Sequence, residues 1–306
     1  MAGLLGAGGD GAERLLELLS AGETVLAPGC YDALGARLVE EAGFAAAYMT
    51  GFGTAASMLG RPDVGLLTLS EMVDNARRIS AAVQIPVIAD ADTGYGNPLN
   101  VIRTVREYEA AGVAAIHIED QAMPKKCGHM EGKQLIPADE MAAKVSAAVA
   151  ARRGGMLIIA RTDARAVEGL DAALDRARQY RQAGADMLFV EAPQSTTEIE
   201  EIAAALPDVP LLFNYAEGGK TPAVTFEFLR DLRFSLVIFP ISLLLVATSA
   251  MRAVLADIKA NGSPREALGS MLGFGDFLDF IGIDDIRELE QRFASGAAGS
   301  TERSEG

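Results

Sequence analysis

The chain has 306 residues, half of them hydrophobic, and its 42 acidic and 27 basic side chains give a net charge of −15. A chain this apolar folds into a globular core, and one this acidic repels phosphate backbones, so nucleic acid is excluded as an expected partner. Two distant cysteines, Cys30 and Cys127, make no disulfide framework and fit a reducing cytoplasm.

Residues 11–20 have the pattern of a short amphipathic helix, and Glu13 and Glu17 interrupt its apolar positions, so no signal peptide is expected. The longest apolar stretch, 235–250, contains Pro240 and is too short to span a bilayer, so no membrane partner is expected either. From there the pattern is regular. Apolar runs predict strands over 24–27, 45–49, 86–89, 114–118, 157–160, 187–190, 210–213 and 235–239. They are apolar throughout, as parallel strands covered on both faces are. Helical periods lie between them. Ser70 is placed to cap a helix over 71–83, and Asn97 caps one over 99–111 with Pro98 in its first turn. Ala-rich helices fill 138–152 and 170–183, and Gly43, Gly112 and Gly184 each stop a helix just before a strand.

Eight strand–helix units predict an α/β fold, a (β/α)8 TIM-type barrel. A doubly wound open sheet is the competing architecture, but Pro28-Gly29-Cys30-Tyr31-Asp32 stands where its glycine-rich phosphate loop would follow the first strand. Short apolar helices over 264–270, 274–280 and 284–293 are expected to pack on the barrel or on a partner subunit. Residues 1–293 thus form one domain, with a disordered tail at 294–306.

In such a barrel the active site lies at the C-terminal ends of the strands, and polar residues fall there. Tyr48, Thr50 and Gly51 end the second strand, Asp90 and Asp92 the third, His117 and Glu119 the fourth. Arg161 and Asp163, then Glu191, Asn214 and finally Pro240 and Ser242 end the next four. Asp90 and Asp92 are two apart, which on extended backbone points both into the mouth beside Glu119. Three hard oxygen donors suit Mg2+ or Mn2+ rather than zinc. The bland alternative is a turn at Asp92 and a cap at Asp90. Arg161 offers a planar fork for a carboxylate, or a structural ion pair with Asp163 or Glu191. His117 reads as a supporting residue, and Thr50-Gly51-Phe52-Gly53 as a glycine-rich turn whose amides could face an anion.

The stretch 119–133, EDQAMPKKCGHMEGK, places Cys127 among Lys125, Lys126 and His129 on a loop that Gly128 and Gly132 let bend. Neighbouring cations are expected to loosen the thiol proton. A solvated basic loop with a spare cysteine is the competing reading.

These motifs together, KKCGH at 125–129 with DADTGYG at 90–96 upstream and ARTDA at 160–164 downstream, resemble the isocitrate lyase / phosphoenolpyruvate mutase superfamily. The resemblance runs from about Pro28 to the C-terminal helices. It implies a barrel that exchanges a C-terminal helix between subunits of a homotetramer, a dimer of dimers. It implies Mg2+ near Asp90, Asp92 and Glu119, and a 2-oxo-acid site from Thr50, Gly51, Phe52, Arg161, Glu191 and Asn214, with Asp63 of LGRPD near the metal. The implied chemistry is cleavage of a 2-hydroxydicarboxylate, malate-type or methylisocitrate-type, to a 2-oxo acid and a carboxylate. Tyr48 or a metal-bound oxygen would act as base, Lys125 would stabilise the carbanion and Cys127 would protonate it. Gly128, His129 and Ser242 would complete the small-carboxylate site. Phosphoenolpyruvate mutases proper lack the cysteine, and the tricarboxylate-cleaving branch carries an arginine where Leu245 stands. MTGFGTAASMLG at 49–60 is shared with a phosphonomutase acting on carboxyphosphonoenolpyruvate, so a mutase and an oxaloacetate hydrolase or decarboxylase are the alternatives.

Overall fold

The computed structural model describes residues 11–294. The expected tail lies outside the described residues but for Ala294, which ends a helix. Helix α1 (Gly11–Ser20) precedes eight parallel strands: β1 (Val25–Cys30), β2 (Ala47–Met49), β3 (Val87–Asp90), β4 (Ala115–Glu119), β5 (Leu157–Thr162), β6 (Met187–Val190), β7 (Leu212–Asn214) and β8 (Leu236–Phe239). Each falls on a run expected from the sequence. Every neighbour pair from β1 to β6 is laddered, β8 joins β1 to β7, and a single parallel bridge, Leu188 to Leu211, meets the gap between β6 and β7. This is a nearly closed (β/α)8 barrel, as expected.

The helices between strands are α2 (Ala33–Glu41), α3 (Gly51–Leu59), α4 (Leu69–Ala82), α5 (Pro98–Ala110), α6 (Ala138–Ala151), α7 (Leu170–Gln182), α8 (Thr196–Ala205) and α9 (Phe226–Asp231). Two local expectations change. Thr68, not Ser70, caps α4: its hydroxyl accepts from the Glu71 amide while Glu71 Oε2 accepts from the Thr68 amide at 2.7 Å. This reciprocal pair satisfies two amides that a helix start would otherwise leave open. The run Thr50-Gly51-Phe52-Gly53 is not a free turn but the cap and first turn of α3, with the Gly53 amide on Thr50 Oγ1.

The strands bury both faces, and the two faces make two cores. Outward residues such as Met49, Ile116, Ile158 and Leu188 pack under the helices. Inward residues form a second cluster of Val25, Ala27, Ile88, Ala115, Ile159, Met187 and Leu236, with Leu15 of α1 joining it at the N-terminal end. Because side chains alternate along a strand, the inward set can be followed upward. It changes from Ala115 to His117 to Glu119 on β4, from Leu157 to Ile159 to Arg161 on β5, and from Met187 to Phe189 on β6 to Glu191 just past its end. The strand register sets Asp90 beside His117 and Glu119 beside Arg161. The lower barrel is apolar and the mouth is polar by the same period of two.

Residues beyond 246 form a separate compact unit. It holds the rest of α10 (Ser242–Asn261), α11 (Phe274–Phe280) and α12 (Ile283–Ala294), and none of these helices has a buried residue. Val246, Leu255, Leu272 and Phe274 stand exposed, Phe274 at 78 %. Among the described residues no helix is long and apolar enough to cross a membrane.

Candidate active site

A cavity of about 230 Å3 opens at the C-terminal ends of the strands. Its lining brings together Tyr48, Thr50, Phe52, Asp63, Asp90, Lys125, Cys127, Gly128, His129, Arg161, Glu191 and Asn214, from elements far apart in sequence. His117 sits one layer deeper, with Nε2 2.8 Å from the Tyr48 hydroxyl. Gly51 packs on Asp90 so closely that a Cβ there would lie 2.4 Å from Asp90 Oδ2, which only glycine allows. Ser242 does not line the cavity; its hydroxyl donates to Glu217, which does. Met130, Ala216, Glu217, Gly218, Gly219, Pro240 and Ile241 complete the wall. Of these, Glu217 was not expected from the sequence; it stands in the glycine-rich stretch AEGG at 216–219, past the end of β7.

The acids do not all face the mouth in the expected way. β3 ends at Asp90, and Asp92 takes a left-handed φ of +47°, so alternation no longer governs it. Its amide caps Asp90 Oδ1 at 2.9 Å, and its carboxylate meets Lys125 Nζ at 2.6 Å. Lys125 also reaches Asp63 at 2.7 Å, so this ammonium lies in the acid cluster rather than beside the thiol. Burial, with Asp90 and Asp63 close by, pushes Asp92 up to about 6 against the pull of Lys125. Burial likewise raises Glu119 well above the carboxylate range despite Arg161 and Lys125.

Glu119 Oε1 is buried without a hydrogen-bond partner. A buried carboxylate oxygen left open in this way has room for a cation, and hard oxygens fit Mg2+ or Mn2+. Among the described residues no three His, Cys, Asp or Glu side chains already form a metal cage. That is compatible with Mg2+, which keeps waters and borrows oxygens from substrate instead of occupying an all-protein cage.

Arg161 is held on one edge by Asp163, through Nε at 3.0 Å and Nη2 at 3.1 Å, with Glu119 at 3.3 Å and Glu191 at 3.8 Å. The structural ion pair and the ligand fork therefore coexist, since Arg161 lines the cavity while it is paired. Burial alone would raise Asp163, but Arg161 and Lys133 hold it down at about 2. Asn214 Nδ2 braces Glu191 at 3.2 Å.

Two ionisations run against expectation. Burial and the nearby Asp90 push the Tyr48 phenol well above its ordinary value, so Tyr48 is a proton-holding hydroxyl, not a ready phenolate base. Burial pulls His117 down to about 4, so its imidazole is neutral and can accept. The thiol of Cys127 is raised to about 11 by burial, with Glu191 and Asp63 adding to it. The expected loosening by cations fails because Lys125 turns to the acids and Lys126 Nζ to the Gly132 carbonyl at 2.8 Å. A thiol that keeps its proton at neutral pH is a poor nucleophile but remains available as a general acid.

The loop over 121–135 lies folded over the cavity. The Ala122 amide bonds the Gln134 carbonyl at 2.8 Å, and the Gln121 side chain braces Lys126 from both its amide and its carbonyl. The Cys127 amide reaches the Asp63 carbonyl at 3.3 Å. The tip is held from the other side by the β7–α9 loop, where the Lys220 amide donates to His129 Nδ1 at 3.0 Å and Lys220 Nζ pairs with Glu131. That leaves the His129 proton on Nε2, 3.3 Å from Glu191 Oε1.

Residues 15–259 match the family model described as phosphoenolpyruvate phosphomutase. The chain belongs to that family. It is 46 % identical over 286 residues to the 2,3-dimethylmalate lyase of Eubacterium barkeri, covering 93 % of this chain and 99 % of that one. It is 45 % identical to the chloroplastic carboxyvinyl-carboxyphosphonate phosphorylmutase of Arabidopsis thaliana, over 94 % of this chain and 87 % of that one. To the 2-methylisocitrate lyase of Aeropyrum pernix it is 46 % identical, over 90 % of this chain and 89 % of the relative. A crystal structure of 2,3-dimethylmalate lyase superposes with a TM-score of 0.89 at 38 % identity, covering 97 % of this chain and 99 % of that one. This family member is an enzyme of the carbon–carbon lyase type, as the sequence led us to expect.

Proposed function

We propose that the enzyme cleaves the C2–C3 bond of a malate-type 2-hydroxydicarboxylate, with Cys127 as the general acid. The observation that carries this reading is a thiol on a lid over the same cavity that Arg161 and Tyr48 line. Arg161 and the first amides of α3, which have no partner inside the helix, bind and orient substrate oxygens. Tyr48 takes the C2 hydroxyl proton as it passes its own to the neutral His117 Nε2 at 2.8 Å, and Asp90, 3.7 Å from that nitrogen, favours the imidazolium. The O–H pair becomes the C2=O bond, and the C2–C3 pair moves onto C3 and its carboxylate. Cys127 gives its proton to C3, leaving a thiolate that the relay reprotonates, so one proton leaves the hydroxyl and one arrives at carbon. The folded lid keeps water from the carbanion meanwhile.

Asp90, Asp92 and Glu119 would hold Mg2+ or Mn2+, which when bound supplies Lewis acidity to the C2 oxygen and its carboxylate. At the far wall, Glu217 with Pro240 and Ile241 disfavours a third carboxylate and favours a neutral C3 substituent. Release of a 2-oxo acid from alkylmalates with Mg2+, and weak or no release from tricarboxylates, is the expected result of a substrate panel. Rearrangement of a carboxyphosphonate, or oxalate from oxaloacetate with no alkylmalate cleavage, would overturn the reading.

We further infer that a second copy of the chain covers the apolar residues of 247–294, consistent with the homotetramer implied by the resemblance. Light scattering should give four chains per particle, and a stable monomer would contradict this.

A further inference from the structure

We propose that Lys133 is a positioning residue that acts on the Cys127 thiol through the peptide bond between Gly128 and His129. The inference rests on the general-acid reading of Cys127 and extends it to a residue outside the cavity lining. Lys133 lies in the lid, yet its side chain is only 2 % exposed. Its ammonium donates to the Gly128 carbonyl and lies 3.1 Å from Asp163 Oδ1. A buried lysine needs such partners, and Asp163 is the same carboxylate that fixes Arg161.

A trans peptide points its C=O and N–H in opposite directions. With the Gly128 carbonyl drawn to Lys133, the His129 amide N–H turns the other way, to the side where it favours the Cys127 thiolate. The Met130 amide on the Cys127 carbonyl at 2.8 Å closes this turn and holds its shape. The series is ammonium, carbonyl, amide, sulfur. A cation on the carbonyl polarises the amide, and the polarised amide best stabilises the charge left on sulfur after the proton moves to carbon. Glycine at 128 lets the peptide lie so close to the floor: a Cβ there would stand 2.0 Å from Glu191 Oε1. The groups facing the thiol are Glu191 just past β6, Asp63 from the α3–α4 loop, Arg161 from β5 and the His129 amide from the lid; the last answers to Lys133 through one peptide, and Arg161 only through Asp163.

The test needs no substrate, so it stands apart from the lyase assignment. The thiolate absorbance of the intact protein is followed against pH, with a Cys127→Ser protein subtracted. In Lys133→Met the thiol midpoint should rise by about one pH unit, so the thiolate fraction at a fixed pH below it falls about tenfold, as loss of a charge-assisted interaction predicts. Lys133→Arg should restore most of the shift. Lys133→Gln keeps a donor without the charge and serves should the Met variant fail to fold; it should also shift upward, by less. Where the lyase is active, Lys133→Met should lower kcat with KM little changed. A midpoint unchanged in both neutral variants, or one that falls because the lid opens, would overturn the proposal and leave Lys133 as a lid anchor only.

Discussion

The lower and upper halves of the barrel interior are made by the same strands, with side chains of the same inward parity, and yet they do opposite work. Below, Ile88, Ala115, Ile159 and Leu236 are wholly buried and apolar. Two residues higher on the first three of these strands stand Asp90, His117 and Arg161, which are almost as buried but polar or charged. Burial stabilises the first set and strains the second, since dry charges must be paired or neutralised. The contrast teaches that one fold separates stability from chemistry by height along the strands, and substitutions at the two levels should separate in the same way.

The largest effect is expected at the top. Asp90→Ala should abolish metal-dependent turnover with the thermal transition retained, and full activity after exhaustive chelation would contradict the metal role. Cys127→Ser should slow turnover by about two orders of magnitude or more, as for loss of a positioned general acid. Gly128→Ala should cost roughly ten- to a hundred-fold in turnover by unseating the lid, because a small misplacement of reacting groups is expensive. Faster hydrogen exchange over 121–135 would identify that cause.

The lower half should respond otherwise. Leu236→Ala removes a wholly buried side chain shared by three strands, and about 2–5 kcal/mol of unfolding free energy should be lost. Turnover per folded molecule should stay unchanged. Acid sharpens the comparison least but tests it cleanly. Asp163 is held at about 2 in the folded protein, below its unfolded value near 4. Its contribution to stability is therefore present above about pH 4 and lost as pH falls toward about 2. Denaturant midpoints for Asp163→Asn should fall less steeply across that window than those of the parent.

The strands were legible in the sequence because parallel strands covered on both faces are apolar throughout, and the strand-end acids, Arg161 and Asn214 stand out against such runs. What stayed hidden depends on where a side chain turns once packed. Asp92 lies past the end of β3, so a period-of-two argument misplaced it. Burial pushes the Cys127 thiol up, and both neighbouring lysines, which would oppose this, point elsewhere, which sequence adjacency cannot tell. Helix α3 was masked by Gly51 and Gly53, residues that ordinarily weaken a helix and here allow close approach to Asp90 and Tyr31. Ser242 sat at the right strand end but is taken up by Glu217.

The most direct measurement is cleavage of an alkylmalate in heavy water with Mg2+, read by the isotope content of the released carboxylate. The account predicts one deuterium at the former C3, a single configuration where that carbon is stereogenic, and slow release with loss of that control in Cys127→Ser. A parent enzyme that releases no 2-oxo acid, or a Cys127→Ser protein matching it in rate and configuration, would contradict it.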